Sequence, residues 1–152
     1  MREAAIAGIG RTPYGKASGR TPLAMAAAAA RAALADAGLA GGDVDGVAEF
    51  QTGDSARAIA VGAAIGADDL SWALDISGGG NVACATVAEA FAAVSRGACD
   101  VAVVYRSLNG RSGARYGRGE VTPVPMSGEM QFAALYLYGH GHLRGFRLLP
   151  QG

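Results

Sequence analysis

Short, continuous apolar runs alternate along this chain with longer stretches in which apolar residues recur every three or four positions. The runs Ala4–Ile9, Val44–Phe50, Leu70–Ile76 and Asp100–Tyr105 are rich in Val, Ile, Leu and Ala. That is the pattern of strands buried on both faces of a parallel sheet. Between the first two runs, Thr21 and Pro22 offer an N-cap and a proline in the first helical turn. Leu23, Ala27, Ala30 and Leu34 follow at helical spacing, and Gly38 stands where a left-handed residue would end the helix. A second helix is expected from Ala56 to Ile65, stopped by Gly66. The third runs from about Val82 to Arg96, with Val87, Ala90, Phe91 and Val94 as its buried stripe and Gly97 as its terminator. Strands and helices that alternate in this way imply β-α-β units. The fold class is therefore α/β, a mostly parallel mixed sheet with helices on both faces.

The periodicity stops near Asn109. Residues 109–134 are rich in glycine, arginine and turn formers without a period, and 135–152 carry aromatics, histidines and arginines without a recognisable packed element. The expected organisation is an α/β domain over residues 1–108, a loop region over 109–134 and an atypical tail over 135–152. The tail reads as the product of a frameshift or a truncation.

Composition narrows the class further. The chain has 152 residues, enough for one domain, and half of them (51%) are hydrophobic, with alanine the commonest, which suits helices packed closely on a sheet. Thirteen basic side chains balance thirteen acidic ones, so no net charge points to nucleic acid, although Arg106, Arg111, Arg115 and Arg118 fall close together. Two cysteines do not make a disulfide framework, and free thiols fit a reducing compartment. The apolar segment 24–37 is alanine-dominated and interrupted by Arg31 and Asp36, too weak to span a bilayer. With no secretory leader read at Met1–Glu3, a cytoplasmic protein is expected.

Candidate chemistry is sparse. "GIGRTPYG" near the N-terminus looks like a dinucleotide loop but has Pro13 where the third glycine belongs and no helix opening at once, so a surface turn is expected instead. Cys84, within "GGGNVACAT", is the main candidate. It falls in the first turn of the third helix, where unpaired N–H groups and the helix dipole favour a thiolate, and Gly78–Gly80 would let another group approach the backbone. Residue chemistry leaves two readings open, an activated nucleophile at the C-terminal edge of the sheet or a small packed side chain. Cys99, just before a core strand, reads as structural, and Glu89 as a solvent-facing residue. His140 and His142 make a His-x-His pair without a third ligand, so no metal site is assigned.

The stretches "AAIAGIGRTPYGK", "TPLAMAAAAARAALADAGLAGGDVDGV" and "GGGNVACATVAEAFAAVSRGACDVAVVYRSLNGRSG" together resemble the N-terminal half of the thiolase superfamily, in its lipid-transfer-protein or sterol-carrier-type branch. The resemblance runs over about residues 4–120. It implies a five-layer α-β-α-β-α fold built from two similar halves, usually a dimer, acting on acyl-CoA thioesters, with no cofactor beyond that substrate. It places Cys84 at or near the cysteine that takes the acyl group in conventional members. The branch also includes members without that cysteine that resemble aldolases cleaving CoA-linked steroid side chains, and Val103–Gly113 is more similar to these. The Gly-His-Pro histidine and second Cys-Gly motif of the family's other half have no counterpart here. The expected function is thus thiolase-like acyl transfer on CoA thioesters, with little activity from this chain alone. The alternatives are a steroid side-chain retro-aldolase and a non-catalytic subunit that binds a partner polypeptide. No nucleic acid and no membrane span is expected.

Overall fold

A computed structural model describes residues 2–52 and 54–109. Helix α1 spans Pro22–Ala37, strand β1 Gly46–Gln51, helix α2 Ala58–Ile65, strand β2 Trp72–Ser77, helix α3 Ala83–Arg96 and strand β3 Ala102–Tyr105. The signals at the ends of α1 act as the sequence implies. Thr21 Oγ1 accepts from the Ala24 amide at 3.1 Å, and Gly38 closes the helix with φ of 70°. A side chain at Gly38 would meet no neighbour, so glycine is needed there for its backbone conformation alone.

The described strands form one sheet in the order β2-β1-β3, all parallel. Val47 is paired with Ala73 and Val103, and Glu49 with Asp75 and Tyr105. Partners in register put their side chains on the same face. On that face α1 and α2 bury Ala26, Ala27, Ala30, Leu34, Ala58, Val61 and Ile65 against Val47, Val103 and Tyr105. The alanines allow close approach of the two helices, while Leu34 contributes about 2 kcal/mol by leaving water. Helix α3 covers the opposite face, over β1 and β3. The α/β class with helices on both faces is thereby observed. Among the described residues no helix is long and apolar enough to cross a membrane.

One side chain ties the lower edge of the sheet together. Asp45 accepts the amides of Asp100 (2.9 Å) and Val101 (2.8 Å), while its carbonyl takes the Ser71 amide at 2.9 Å. The entries to all three strands are thus held by one residue.

Two expectations from the pattern fail. Residues 4–9 belong to no described strand, and Ile6 and Ile9 are 80% and 77% exposed. The chain lies instead along α1, so close that a Cβ on Gly8 or Gly10 would overlap the backbone at Ala33 or Ala29. These glycines fit the segment to a helix, not to a sheet. The stripe assigned to α3 is also rotated. Thr86, Ala90 and Ala93 are buried, whereas Val87 and Phe91 are 45% and 52% exposed. The reason is steric: the sheet face below α3 carries Gly46 and Ala48, and a Cβ on Gly46 would already lie 2.8 Å from Cys99 Sγ. The helix turns its small side chains inward at this close approach.

Candidate functional site

The strand order creates a definite place for a ligand. The connection from β1 leads to β2 on one side, and the connection from β2 returns across β1 to β3. Open α/β sheets take ligands at the C-terminal ends of the strands where connections diverge in this way. Here that edge is formed by the β1–α2 loop, the Gly78–Gly80 turn with the start of α3, and the residues after β3.

Arg106 and Asp54 meet at this edge. Arg106 Nη2 lies 2.7 Å from both Asp54 carboxylate oxygens, Nη1 donates to the Ser107 carbonyl at 2.8 Å, and the guanidinium sits 5.3 Å from the centre of the Phe50 ring. Burial pushes the Asp54 carboxyl up, but the Arg106 guanidinium and the Thr52 amide together outweigh it and hold the group below the usual carboxylate range. The pair fixes a cation at the edge while binding the β1–α2 loop to the end of β3.

Cys84 is the second residue of α3 and is exposed. A single 3-10 turn, Gly80–Val82, leads into the helix, and no side chain caps its first amides. The sequence therefore placed this thiol correctly, on a first turn beside the glycine turn. Cys99 is buried against Gly46, and burial raises its thiol pKa above the ordinary value, as suits a packed, unreactive side chain. Glu89 is exposed.

A second group of residues lies under α2. Glu49 is fully buried on the central strand, and no donor of good geometry reaches either of its carboxyl oxygens. Asp75 stands beside it in register on β2 and Tyr105 beside it on β3. Asp75 accepts the Ala58 amide at 2.8 Å, at the opening of α2, and Tyr105 donates to the Ala56 carbonyl at 2.6 Å. Burial, then the neighbouring Asp75, push the Glu49 pKa up to about 7, against a smaller pull from Gln51 and Arg106. Burial and the same two carboxylates raise the Tyr105 phenol as well.

The sequence reading did not single out Glu49, Asp54, Asp75 or Tyr105. A carboxylate in the middle of the apolar run 44–50 was the available signal, since an acid in a central strand needs a reason. Arg106 was noted only as one of several arginines. The other three, Arg111, Arg115 and Arg118, lie outside the described residues, as do the His140/His142 pair, residues 110–134 of the loop region and the tail.

No family model matches the chain. It is 44% identical over 139 residues to the 17-hydroxy-3-oxo-4-pregnene-20-carboxyl-CoA lyase of Mycobacterium tuberculosis, covering 91% of this chain and 36% of the relative. It is 47% identical over 117 residues to a steroid side-chain-cleaving aldolase of Thermomonospora curvata, covering 77% and 30%. Among solved structures it superposes on an Ltp2-ChsH2(DUF35) aldolase with a TM-score of 0.71 at 39% identity, over 89% of this chain and 33% of that one. The chain thus spans about a third of the length of the curated relatives it matches.

Proposed function

We propose that this chain supplies one α/β portion of a retro-aldolase acting on a CoA thioester of a steroid side chain. The observation that carries the reading is the superposition on an aldolase at a TM-score of 0.71 and 39% identity across 89% of the chain. Relatives whose names specify a carboxyl-CoA lyase and a side-chain-cleaving aldolase support it. The resemblance read from Val103–Gly113 points the same way, so the aldolase alternative replaces acyl transfer as the main reading.

The substrate class is a β-hydroxy acyl-CoA. A base removes the hydroxyl proton, the bond between the carbinol carbon and the α-carbon breaks, and its electron pair passes into the thioester as an enolate. Protonation of the α-carbon gives a shortened acyl-CoA, and the carbinol carbon leaves as a ketone. No covalent acyl intermediate and no second CoA are needed. In this reading the C-terminal edge of the sheet lies against the thioester, while further polypeptide supplies the base and the donors that hold the enolate oxygen. Cys84 then lines the site without forming a bond.

The test is a chimera in which residues 1–109 replace the matching segment of the Thermomonospora aldolase. It is expected to release ketone from a β-hydroxy steroid side-chain CoA thioester, independently of added CoA and of a Cys84→Ala change. A folded chimera that requires free CoA, acts on a β-ketoacyl thioester and loses turnover in Cys84→Ala would overturn the reading.

That outcome is the signature of the second reading, thiolase-like acyl transfer. Its support is the exposed position of Cys84 on the first turn of α3 beside Gly78–Gly80. Both readings place a partner, a second copy or another polypeptide, over α3, whose outer side shows Val87 and Phe91. The name of the solved neighbour, which joins two components, supports such pairing.

A further inference from the structure

The carboxyl group that no part of the retro-aldol reading uses is Glu49. It sits at the centre of a row of acidic side chains, Asp75–Glu49–Tyr105, that crosses the three strands in register beneath α2. The charged and hydroxyl groups nearest to it are engaged elsewhere. The Tyr105 hydroxyl spends its proton on the Ala56 carbonyl, at 2.6 Å. Asp75 turns one oxygen to the Ala58 amide, at 2.8 Å, and the other to Arg57 Nη1, at 3.4 Å. Arg106 is held by Asp54 and the Ser107 carbonyl. Gln51, next on the same face, is near enough to pull the Glu49 pKa down but makes no hydrogen bond of good geometry to it. The buried residues of α1 are Ala26, Ala27, Ala30 and Leu34, none able to donate, and α3 lies on the opposite face. Directly between two carboxyl groups, the hydrogen that can bridge Glu49 and Asp75 is the acid's own.

We propose that Glu49 and Asp75 share a proton across β1 and β2, and that loss of this proton releases the β1–α2 loop and the start of α2 from the sheet. With the proton in place, a neutral Glu49 donates to an Asp75 whose charge is held by the opening of α2. Without it, two carboxylates stand side by side with only the 3.4 Å contact from Arg57 to Asp75 to offset their charge, and repulsion acts on the group that anchors Ala58. Tyr105, the other anchor of this loop, faces the same new charge. The released segment includes Asp54, so the change would reach Arg106 and the C-terminal edge of the sheet. The raised Glu49 pKa agrees with this geometry and puts the transition near neutral pH. The device stands independently of whether the site performs retro-aldol cleavage or acyl transfer.

Two measurements on the full chain test it. Infrared difference spectra of the wild type should show a protonated-carboxyl band that disappears with a midpoint near pH 7 and is missing in Glu49→Gln. Amide exchange, corrected for its intrinsic pH dependence, should lose about tenfold protection at Ala58 and Val61 between pH 6 and pH 8 in the wild type. Glu49→Gln, neutral and able to donate to Asp75, should keep that protection. A band that titrates with the ordinary carboxylates overturns the proposal even if the variant fails to fold. So does equal loss of protection in the wild type and Glu49→Gln.

Discussion

Removing Arg106 should loosen the C-terminal edge of the sheet by a measurable and mostly pairwise amount. Its side chain is 24% exposed and that of Asp54 21%, between the surface ion pairs that contribute little and the buried ones whose disruption is severe. The guanidinium makes contacts of 2.7 Å to both Asp54 oxygens and stands 5.3 Å from the Phe50 ring centre. Hydrogen bonds to charged groups contribute about 1.5–3 kcal/mol, and partial exposure puts this pair near the lower end. Arg106→Ala should therefore cost about 2–3 kcal/mol, of which roughly 0.5 kcal/mol is the ring contact. A double-mutant cycle with Asp54→Ala should return a coupling of about 1–2 kcal/mol. The sign with pH is fixed by the depressed Asp54 pKa. The unfolded chain binds the proton more readily, so the contribution is complete above the ordinary Asp pKa and is lost as pH falls through the lower folded value. Urea unfolding of the wild type, both single variants and the double variant at pH 7 and near pH 3 gives the cycle. A coupling under about 0.3 kcal/mol at pH 7, or one that grows on acidification, would refute the reasoning.

The two thiols should differ sharply: iodoacetamide should alkylate exposed Cys84 at least about tenfold faster than buried Cys99 in the native chain, with the difference abolished in denaturant. Mass spectrometry of the two peptides over time reads this directly. Gly46→Ala should destabilise by about 1–3 kcal/mol, since its Cβ would lie 2.8 Å from Cys99 Sγ, and Cys99→Ala in the same chain should recover much of that loss in urea unfolding. Phe91→Ser should leave the stability of the chain within about 0.5 kcal/mol, because its ring is half exposed, while weakening association by sedimentation velocity. Undiminished association would count against a partner over α3.

Helix ends were legible because their signals are local. Thr21 acts through its hydroxyl on an amide three residues on, Gly38, Gly66 and Gly97 through their own backbone, and each is found where the sequence puts it. The strands after residue 44 were legible because apolar runs of that length between glycine stops suit a parallel sheet, and their observed limits shift by only a residue or two. What the pattern could not show is which neighbour takes each apolar surface. Ala4–Ile9 has strand-like composition, yet Gly8 and Gly10 fit it against the backbone of α1. Cys84 was legible from helix position, whereas the Arg106–Asp54 pair was not, because 52 residues separate its members and only the sheet order unites them.

The rotated face of α3 connects these points to function. Periodicity marks Val87 and Phe91 as apolar, which is correct chemistry, but the helix buries Thr86, Ala90, Ala93 and Ser95 instead. The helix is consequently apolar on two sides, one spent on the sheet and one open. A helix of that kind belongs between two layers, and Cys84 stands at its opening on the same C-terminal edge as Arg106. A partner laid on Val87 and Phe91 would thus border Cys84 and the Gly78–Gly80 turn. In the proposed retro-aldolase such a partner is the natural source of the base and enolate donors, since none of the described residues at this edge combines exposure with a free basic group. Covering α3 and completing the site are then one event, and variants that prevent the first should abolish the second without unfolding the chain.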